Sequence, residues 1–566
     1  MRHQGLLELL SDTDAYEKIT ESIYKGSISA IHGLEGTQKH LFMALLHGSH
    51  SSSSTLIICP SEDRAKEVYK DLSILIPDDR VDQFPAREIL PLDLYAHSRE
   101  IIAQRVRVLE KLQNGGGHCI VTTFEALSRR LAPPSLFGEL PLSYEQGQSI
   151  HREGLVKDLL GVGYERVELV EIPGQFAVRG GLVDIYPITG DNPTRIELFG
   201  DEIDTIRYFD PETQLSKGHC SKVSAAPAVE FSLNGGASSK ESVTRTLVEG
   251  LRKTEKALAS GAKKTALSNL RGKIETLLER IEGDFVGDLE AYMPLFVKET
   301  YTLLDYFHKK PLVILDEMQH LEQSALEREK EIGEGFEGLL DEGAVLKTQQ
   351  QIFLRLGLFK ETLMKYRRVY FSLLPRKVEG AKEVKGVNVH ARTLQNFQRR
   401  PKLFIEGIKE WKKAGYRVMI MTSSQERGQN LVESLWDSKI EAVSVSDIDK
   451  APPPGQILVT YGEISGGFEI TTEKIVLITD KEIYGGPRDR RLKRRFKEGA
   501  HITHISDLKP GDYVVHAQHG IGRYLEIVNL EVQGVKKDYF HIQYQGKDKL
   551  YVPTDQVDLV QRYIGS

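Results

Sequence analysis

A glycine turn and a lysine near the N-terminus have the spacing of residues that bind phosphate. Gly33 ends the strand-like run SISAIHG, and Lys39 follows in the segment GLEGTQKH. A phosphate-binding loop needs a glycine directly before the lysine, so that backbone amides can surround the phosphates, and a Ser or Thr after it to hold magnesium. Gln38 and His40 occupy those two positions. The loop therefore supplies only half of what a nucleotide site requires.

Two acids have the position of the magnesium-holding residues of such a site. Asp316 and Glu317 end the apolar strand PLVILDE. Two interpretations are open: ATP hydrolysis, or a nucleotide-binding fold that keeps its shape without its ligand. The altered loop favours the second interpretation. We therefore treat Gly33, Lys39, Asp316 and Glu317 as a vestigial nucleotide site and assign no catalytic residue, no metal site and no cofactor.

The elements that must position these residues are alternating strands and helices. Residues 27–135 repeat the strand-to-helix pattern, which is typical of a parallel sheet with crossover helices. Residues 150–228 instead contain strands and turns with little helix, such as FAVRGGLVDIYP and TRIELFGDEIDTIRYF. This change predicts a small α+β domain inserted into the first α/β domain.

The second half of the chain changes pattern three times. Residues 240–345 are mostly helical, and residues 368–480 restart the alternation of a second α/β domain. A basic run, RDRRLKRRFK, follows, and is either a solvated linker or a contact to a nucleic-acid backbone. Short strands with glycine turns then predict a small β-barrel, in which Phe540 and Ile542 alternate with polar neighbours. One helical face in the 240–345 region is apolar, formed by Leu270, Ile274, Leu277, Leu278 and Ile281.

These changes predict an α/β multidomain chain with six segments. The first α/β domain has two parts, the α+β domain lies between them, and a second α/β domain, a basic linker and the barrel follow. The predicted bounds are 1–145, 146–230, 231–378, 379–484, 485–504 and 505–566.

The bulk composition narrows the function classes. The 566 residues carry 75 basic and 81 acidic side chains, a formal net charge of −6, so nucleic-acid contacts must be local. The three cysteines are far apart and form no CxxC pair, which argues against a disulfide framework or a zinc knuckle. No apolar run is long enough to cross a bilayer, and no signal peptide is recognisable. We therefore expect a cytoplasmic protein without a membrane partner.

Several strings resemble two families in series. FPAREILPLDLYAHSREIIAQRVRVLEKL, PGQFAVRGGLVDIYP and RIELFGDEIDTIRYFDPETQ resemble UvrB, the damage-loading protein of nucleotide excision repair. GDYVVHAQHGIGRYLEIVNL and YQGKDKLYVP resemble the polymerase-interacting domain of transcription-repair coupling factors, which is related to CarD. The coupling factors have both in this order. The resemblance implies a UvrB-like degenerate nucleotide fold, a middle α/β domain and a Tudor/CarD-like barrel.

The same resemblance implies that more protein follows. The family continues into an ATP-dependent double-stranded DNA translocase, whereas this chain stops at QRYIGS. We therefore expect a fragment without the motor, with ATP, magnesium and most of the DNA contact belonging to the missing part. The long aromatic hairpin of UvrB has no room between Phe84 and Arg105, so damage probing is not expected.

Two partner sites are implied by the resemblance. For UvrA, the matching residues are Arg179, Arg195 and Phe199, although Phe199 would otherwise be read as a core residue. For the RNA polymerase β subunit, they are Leu530 and Tyr524 in an edge strand that could extend a partner sheet; Leu530 could equally be a core leucine. The resulting hypothesis is a scaffold that links stalled polymerase to UvrA. The alternatives are an active UvrB-type ATPase or helicase, and a CarD-like transcription regulator.

Overall fold

The first part of the chain alternates helices and strands, as predicted. The computed structural model describes residues 3–25, 28–49, 53–77, 79–87, 99–233, 240–258, 264–282, 287–374, 384–398, 400–485, 499–501, 511–516, 520–532, 535–543, 549–553 and 560–563. The early elements are α1 (Gln4–Ser11), α2 (Asp14–Tyr24), β1 (Ile28–His32), α3 (Thr37–Ser49), β2 (Thr55–Cys59), α4 (Glu62–Leu75), β3 (Val81–Phe84), α5 (Arg99–Asn114), β4 (Cys119–Thr123), α6 (Phe124–Ser128) and α7 (Pro134–Gly138).

A separate antiparallel sheet follows. Its strands run in the order β11-β10-β9-β8-β7-β6, with only β6 and β7 parallel, while β5 and β12 pair apart from it. Glycine turns connect β7 to β8 and β9 to β10, as the sequence predicted. The elements are β5 (Leu142–Glu145), α8 (Arg152–Gly161), β6 (Glu165–Arg166), β7 (Gln175–Arg179), β8 (Leu182–Ile185), β9 (Thr194–Phe199), β10 (Glu202–Phe209), β11 (Ser216–Cys220) and β12 (Lys222–Ala225).

The chain then returns through helices to the first sheet. The predicted apolar face of α10 is buried in a core of its own, with α9 beside it. The elements are α9 (Lys240–Leu258), α10 (Lys264–Glu282), α11 (Met293–Phe296), β13 (Leu312–Asp316), α12 (Met318–Asp341), α13 (Leu356–Leu363), β14 (Arg368–Ser372) and β15 (Val384–Asn388), with 3-10 helices at Gly287–Tyr292, Leu303–Tyr306 and Lys347–Ile352. The completed first sheet is parallel throughout and has the order β15-β1-β14-β13-β2-β4-β3.

β15 belongs to a different sheet from the one that the sequence predicted. We assigned residues from 379 onward to the middle domain, but Val384–Asn388 pairs with β1 and forms the edge of the first sheet. The reason is geometric, because β1 would otherwise be an edge strand with unpaired backbone groups.

The middle α/β region forms a second sheet of six strands. Its order is β16-β20-β21-β17-β19-β18, with β17, β18, β19 and β21 parallel. Apolar side chains of both sheets share one core, including Leu6 of α1 and Met419 of β17. The elements are β16 (Ala391–Thr393), α14 (Pro401–Lys413), β17 (Arg417–Thr422), α15 (Gln425–Asp437), β18 (Val443–Ser444), β19 (Ile457–Tyr461), β20 (Phe468–Ile470), β21 (Ile475–Thr479) and α16 (Asp480–Tyr484).

The C-terminal residues form a second compact unit, Pro487–Ser566, apart from Met1–Gly486. Its sheet has the order β22-β27-β23-β24-β25-β26, and no pairing within the described residues closes it, so the barrel stays a prediction. The basic run lies outside the described residues. The strands are β22 (Gly499–His501), β23 (Tyr513–His516), β24 (Gly520–Val532), β25 (Val535–Gln543), β26 (Lys549–Pro553) and β27 (Val560–Tyr563).

Candidate functional site

Two arginines on neighbouring strands share one buried carboxylate in the inserted sheet. Asp184 lies in β8 with its side chain 1% exposed. Arg195 of β9 donates to it from Nε at 2.7 Å and from Nη2 at 2.9 Å. Arg179 of β7 donates from Nη2 to the same carboxylate. The strands place these residues side by side, since β8 pairs with both neighbours.

The two guanidiniums differ in accessibility. The side chain of Arg195 is 13% exposed, whereas that of Arg179 is 43% exposed. Arg195 also lies over the ring of Phe209, with Cζ 4.7 Å from the ring centroid. Its hydrogen bond to Asp184 raises the pKa of Arg195, so its charge is fixed at any ordinary pH. The pair therefore presents the exposed charge of Arg179 and the largely buried charge of Arg195 in a defined geometry.

Phe199 lies four residues after Arg195 in the same strand and is 82% exposed. It is the last residue of β9, directly before the Gly200 turn, so its ring sits at the tip of a hairpin. The alternative of a core phenylalanine does not fit this position. A groove of ≈ 440 Å³ opens beside the tip, lined by residues of the two glycine turns and the start of α8, namely His151, Arg152, Glu153, Gly180, Gly181, Leu198, Gly200 and Asp201.

The sequence interpretation missed Asp184. A signal was available, because it is the one acid inside the apolar run GLVDIYP. A carboxylate in the buried part of a strand needs cationic or hydrogen-bonding partners, and Arg179 and Arg195 were the nearest basic residues on the flanking strands. Asp184 thus belongs to the candidate site as the residue that positions both arginines.

The vestigial nucleotide residues also meet in space, but in ion pairs with one another. Lys39 is buried at the start of α3, and its Nζ lies 2.7 Å from Asp316 Oδ1 and 2.9 Å from Glu317 Oε1. Arg64 Nε donates to the other oxygen of Asp316 at 3.0 Å. Burial alone would raise the pKa of Asp316, but Lys39 and Arg64 hold that pKa below its ordinary value. Lys39, the residue that would contact phosphate, is therefore engaged in ion pairs within the protein.

The two altered loop positions, Gln38 and His40, are buried as well. His40, which replaces the magnesium-holding hydroxyl, lies with its Nδ1 2.5 Å from Asp71 Oδ2. The other oxygen of Asp71 accepts from Ser465 N at 2.8 Å and from Ser465 Oγ at 2.7 Å. Gly33 has φ +82°, and a side chain there would collide with the carbonyl of Val389. Through Asp71, the start of α3 is thus connected to the loop between β19 and β20.

The C-terminal sheet places the two polymerase candidates differently. Tyr524, expected at a contact surface, is 5% exposed and packs edge-on against Phe540, with ring centroids 6.0 Å apart. It is a core residue of the sheet because the β24–β25 register turns it toward Phe540 and Ile542. Leu530 lies in β24 opposite Lys537, and its side chain is outside the described part.

β24 is an edge strand over only half its length. β23 covers Gly520–Arg523, and beyond that point the described residues give β24 only one neighbour, β25. A register shift after Tyr524 separates the two halves. The half that contains Leu530 therefore has backbone groups on one side with no strand partner in the described sheet.

A metal cluster and a membrane-spanning helix are both absent from the described residues. In the described ranges, no group of three or more His, Cys, Asp or Glu side chains is arranged to hold a metal ion. No helix among those residues is long and apolar enough to span a membrane.

Two family models match separate parts of the chain. The UvrB interaction domain matches residues 142–231, which contain Arg179, Asp184, Arg195 and Phe199. The CarD-like/TRCF RID domain matches residues 508–564, which contain Tyr524 and Leu530.

Whole-chain comparison finds long relatives. The chain is 32% identical over 563 residues to the transcription-repair-coupling factor of Bacillus subtilis, which covers 98% of this chain and 47% of the relative. It is 26% identical over 560 residues to that of Staphylococcus epidermidis, again covering 98% and 47%. The chain thus spans about half the length of the curated relatives it matches.

Proposed function

We propose that this chain, a member of the transcription-repair-coupling factor family, is a docking scaffold that binds UvrA through its inserted sheet and RNA polymerase through its C-terminal sheet. The observation that carries the UvrA half is Phe199. A ring that is 82% exposed at a hairpin tip, on the same sheet as two arginines fixed by a buried acid, has the composition of an interface anchor. The match of residues 142–231 to the UvrB interaction domain supports this assignment.

The polymerase half rests on the free side of β24. An exposed strand edge can add backbone hydrogen bonds to a partner sheet, while alternate side chains fill pockets. We assign the Glu526–Val532 half of β24 to this role, with the RNA polymerase β subunit as partner and Leu530 as apolar anchor. Tyr524 then acts from the core by holding the bend from which this half extends. The match to the CarD-like/TRCF RID domain supports a polymerase contact.

This chain has no nucleotide chemistry of its own in this proposal. Lys39, Asp316 and Glu317 are engaged with one another, so ATP would have to break buried ion pairs to bind. ATP, magnesium and most of the contact with double-stranded DNA belong to a translocase elsewhere in the whole protein. The rival function, a UvrB-type ATPase, requires ATP binding at Lys39.

UvrA binding by Phe199→Ala tests the first half of the proposal. Because the ring is exposed, its removal should leave folding within about 0.5 kcal/mol of the wild type. Loss of an interface anchor should weaken UvrA binding about thirtyfold or more. The matched control is Trp436→Ala, an aromatic with 64% exposure on helix α15 of the middle region, which should bind normally.

The same measurement separates the rivals. Wild-type binding to UvrA excludes a CarD-like regulator with unrelated N-terminal domains. If Phe199→Ala and the wild type bind UvrA equally well, the surface has been assigned wrongly. If neither variant nor wild type binds UvrA, the scaffold function itself fails.

A further inference from the structure

Five charged side chains are buried together where the first sheet meets the helical region. Arg87, Arg105 and Arg129 lie beside Glu230 and Glu290, and each is at most 6% exposed. None belongs to the UvrA, polymerase or nucleotide residues described above. Burial of so many charges is costly unless each is paired and hydrogen-bonded, so the pairing of each one matters.

Both glutamates are paired with arginines, although Glu290 Oε2 has only an ion-pair contact and no hydrogen bond. Glu230 receives Arg105 Nε at 2.6 Å on one oxygen and Arg105 Nη2 at 3.0 Å on the other. Arg105 Nη1 donates to the carbonyl of Pro85 at 2.8 Å. Arg87 Nη1 contacts Glu230 at 3.4 Å and also pairs with Glu290. Arg87 Nε is buried without a hydrogen-bond partner.

Arg129 is the arginine of this cluster that forms no ion pair with either glutamate. Among the residues that the structure describes, its guanidinium has no hydrogen bond and no ion pair, although the residue is 6% exposed. Among the described residues of this cluster, three guanidiniums against two carboxylates leave one excess positive charge. Burial lowers the pKa of Arg129 to about 10, which keeps the side chain charged at neutral pH. The charge therefore cannot be removed by losing a proton.

A small cavity lies at this unpaired group. Its volume is ≈ 10 Å³, and its wall contains the charged residues Arg87, Arg129, Arg130, Glu230 and Glu290 together with apolar side chains such as Met293 and Ile352. A space of this size accommodates one water molecule or one monatomic ion. It is too small for a phosphate, a carboxylate ligand or a nucleotide.

We propose that this cavity binds a single monatomic anion, chloride in solution, between Arg129 and Arg87. One negative charge would balance the excess positive charge and accept hydrogen bonds from the unpartnered donors. A water molecule would satisfy hydrogen bonds but would leave the charge unbalanced. The bound anion would tie the segment around Arg87 to the one around Arg129, so it would stabilise the junction between sheet and helices.

Melting in different sodium salts tests the proposal on the intact chain. At constant ionic strength, replacing gluconate by chloride should raise the melting temperature by about 2–4 °C and then level off as the site fills. Bromide should act like chloride, and sulfate should not. Equal melting temperatures in gluconate and chloride would overturn the proposal.

Two variants assign the effect to the cavity. Arg129→Met should abolish the chloride response, whatever its own stability. Arg368→Met removes a similarly buried arginine from β14, and its chloride response should equal that of the wild type. A chloride response that persists in Arg129→Met would show that the ion binds elsewhere.

Anomalous scattering from a wild-type crystal grown in millimolar bromide gives an answer that does not depend on variant folding. A bromide peak within hydrogen-bond distance of Arg129 supports the site. The proposal would be overturned by a water molecule in the cavity or by a carboxylate of the chain paired with Arg129. It would also be overturned by a bromide peak that is seen only at molar concentration, because that would indicate an adventitious ion only.

Discussion

Arg195 and Asp184 form a two-point contact on adjacent strands, with donor–acceptor distances of 2.7 and 2.9 Å. Because the carboxylate is buried, it cannot exchange this partner for water. The arginine is consequently held in one orientation before any partner arrives. Pre-organisation of this kind lowers the entropy that binding would otherwise cost.

Arg195→Ala should destabilise the inserted sheet, because it leaves Asp184 buried with only the more exposed Arg179 as a partner. Breaking a buried pair costs roughly 3–5 kcal/mol, and part of this loss is offset by Arg179. Arg179→Ala should cost less than about 1 kcal/mol, since that side chain is 43% exposed. Chemical denaturation followed by circular dichroism measures both values. Equal costs would contradict the different roles assigned to the two arginines.

Asp184→Asn should weaken UvrA binding although position 184 faces the arginines and not the surface. The amide keeps the size of the side chain but loses the charge that orients both guanidiniums. We expect a loss of about tenfold or more in affinity, with Asp201→Asn, an exposed acid of the adjacent groove, as the comparison. Undiminished UvrA affinity in Asp184→Asn would show that the arginines need no positioning.

Lys39→Ala should lower stability and change nothing in ATP binding. The substitution leaves Asp316 with Arg64 alone and removes the buried cation from Glu317, at a cost of roughly 3 kcal/mol. Lys70→Ala, an exposed lysine on α4, should stay within about 0.5 kcal/mol of the wild type. Added Mg-ATP should not shift the melting temperature of any of the three proteins. Micromolar ATP binding that Lys39→Ala abolishes would restore the ATPase interpretation.

Glu110 makes stability depend on pH. Burial raises the pKa of this α5 carboxyl to about 7 from its ordinary value of 4.5. The folded state thus holds the proton more tightly, and this stabilisation is complete below pH 4.5 and is lost as the pH rises to about 7. Glu110→Gln should remove this loss of stability, which is at most about 3 kcal/mol and smaller because the position is only partly buried.

Denaturation midpoints at pH 5 and pH 8 check this. Glu110→Gln should be more stable than the wild type at pH 8, with a smaller difference at pH 5. Glu100→Gln, in the exposed first turn of the same helix, should keep the wild-type pH dependence. A pH-independent difference between Glu110→Gln and the wild type would exclude a raised pKa as its cause.

Leu530→Arg should abolish binding to the polymerase β subunit and leave UvrA binding intact, since the UvrA surface lies in the other compact unit. A charge in an apolar contact should weaken the binding free energy by about 2 kcal/mol or more. Ile527→Arg substitutes a residue on the other face of β24 by strand alternation and is the matched control. If Leu530→Arg also collapses the melting temperature of the C-terminal unit, Leu530 is a core residue instead.

The local patterns in the sequence predicted most elements of the fold. On the apolar face of α10, Leu270, Ile274, Leu277 and Ile281 are buried and Leu278 is partly buried. Phe540 and Ile542 are buried on β25 as their alternation indicated. Turn glycines placed the hairpin that ends at Phe199. These features depend on residues close together in the chain, where periodicity carries the information.

The features that the sequence did not predict involve residues far apart in the chain. The pairing of β15 with β1, the burial of Tyr524 and the cluster around Arg129 depend on which surfaces meet after folding. Phe199 was ambiguous for a related reason, because strand alternation cannot tell whether the end of a strand projects beyond its sheet. Asp184 could have been found by asking which partner a lone acid in an apolar strand requires.

The hydrogen bond of His40 to Asp71 makes the altered loop difficult to reverse. A threonine at position 40 would restore the residue type that holds magnesium, but it would leave the buried Asp71 without the imidazole and loosen its attachment to Ser465. A glycine at position 38 would add backbone freedom at the first turn of α3, where order is needed. A lineage that evolved toward nucleotide binding would therefore pass through less stable intermediates. Through Asp71, His40 thus acts as a structural tie between the start of α3 and the loop that contains Ser465.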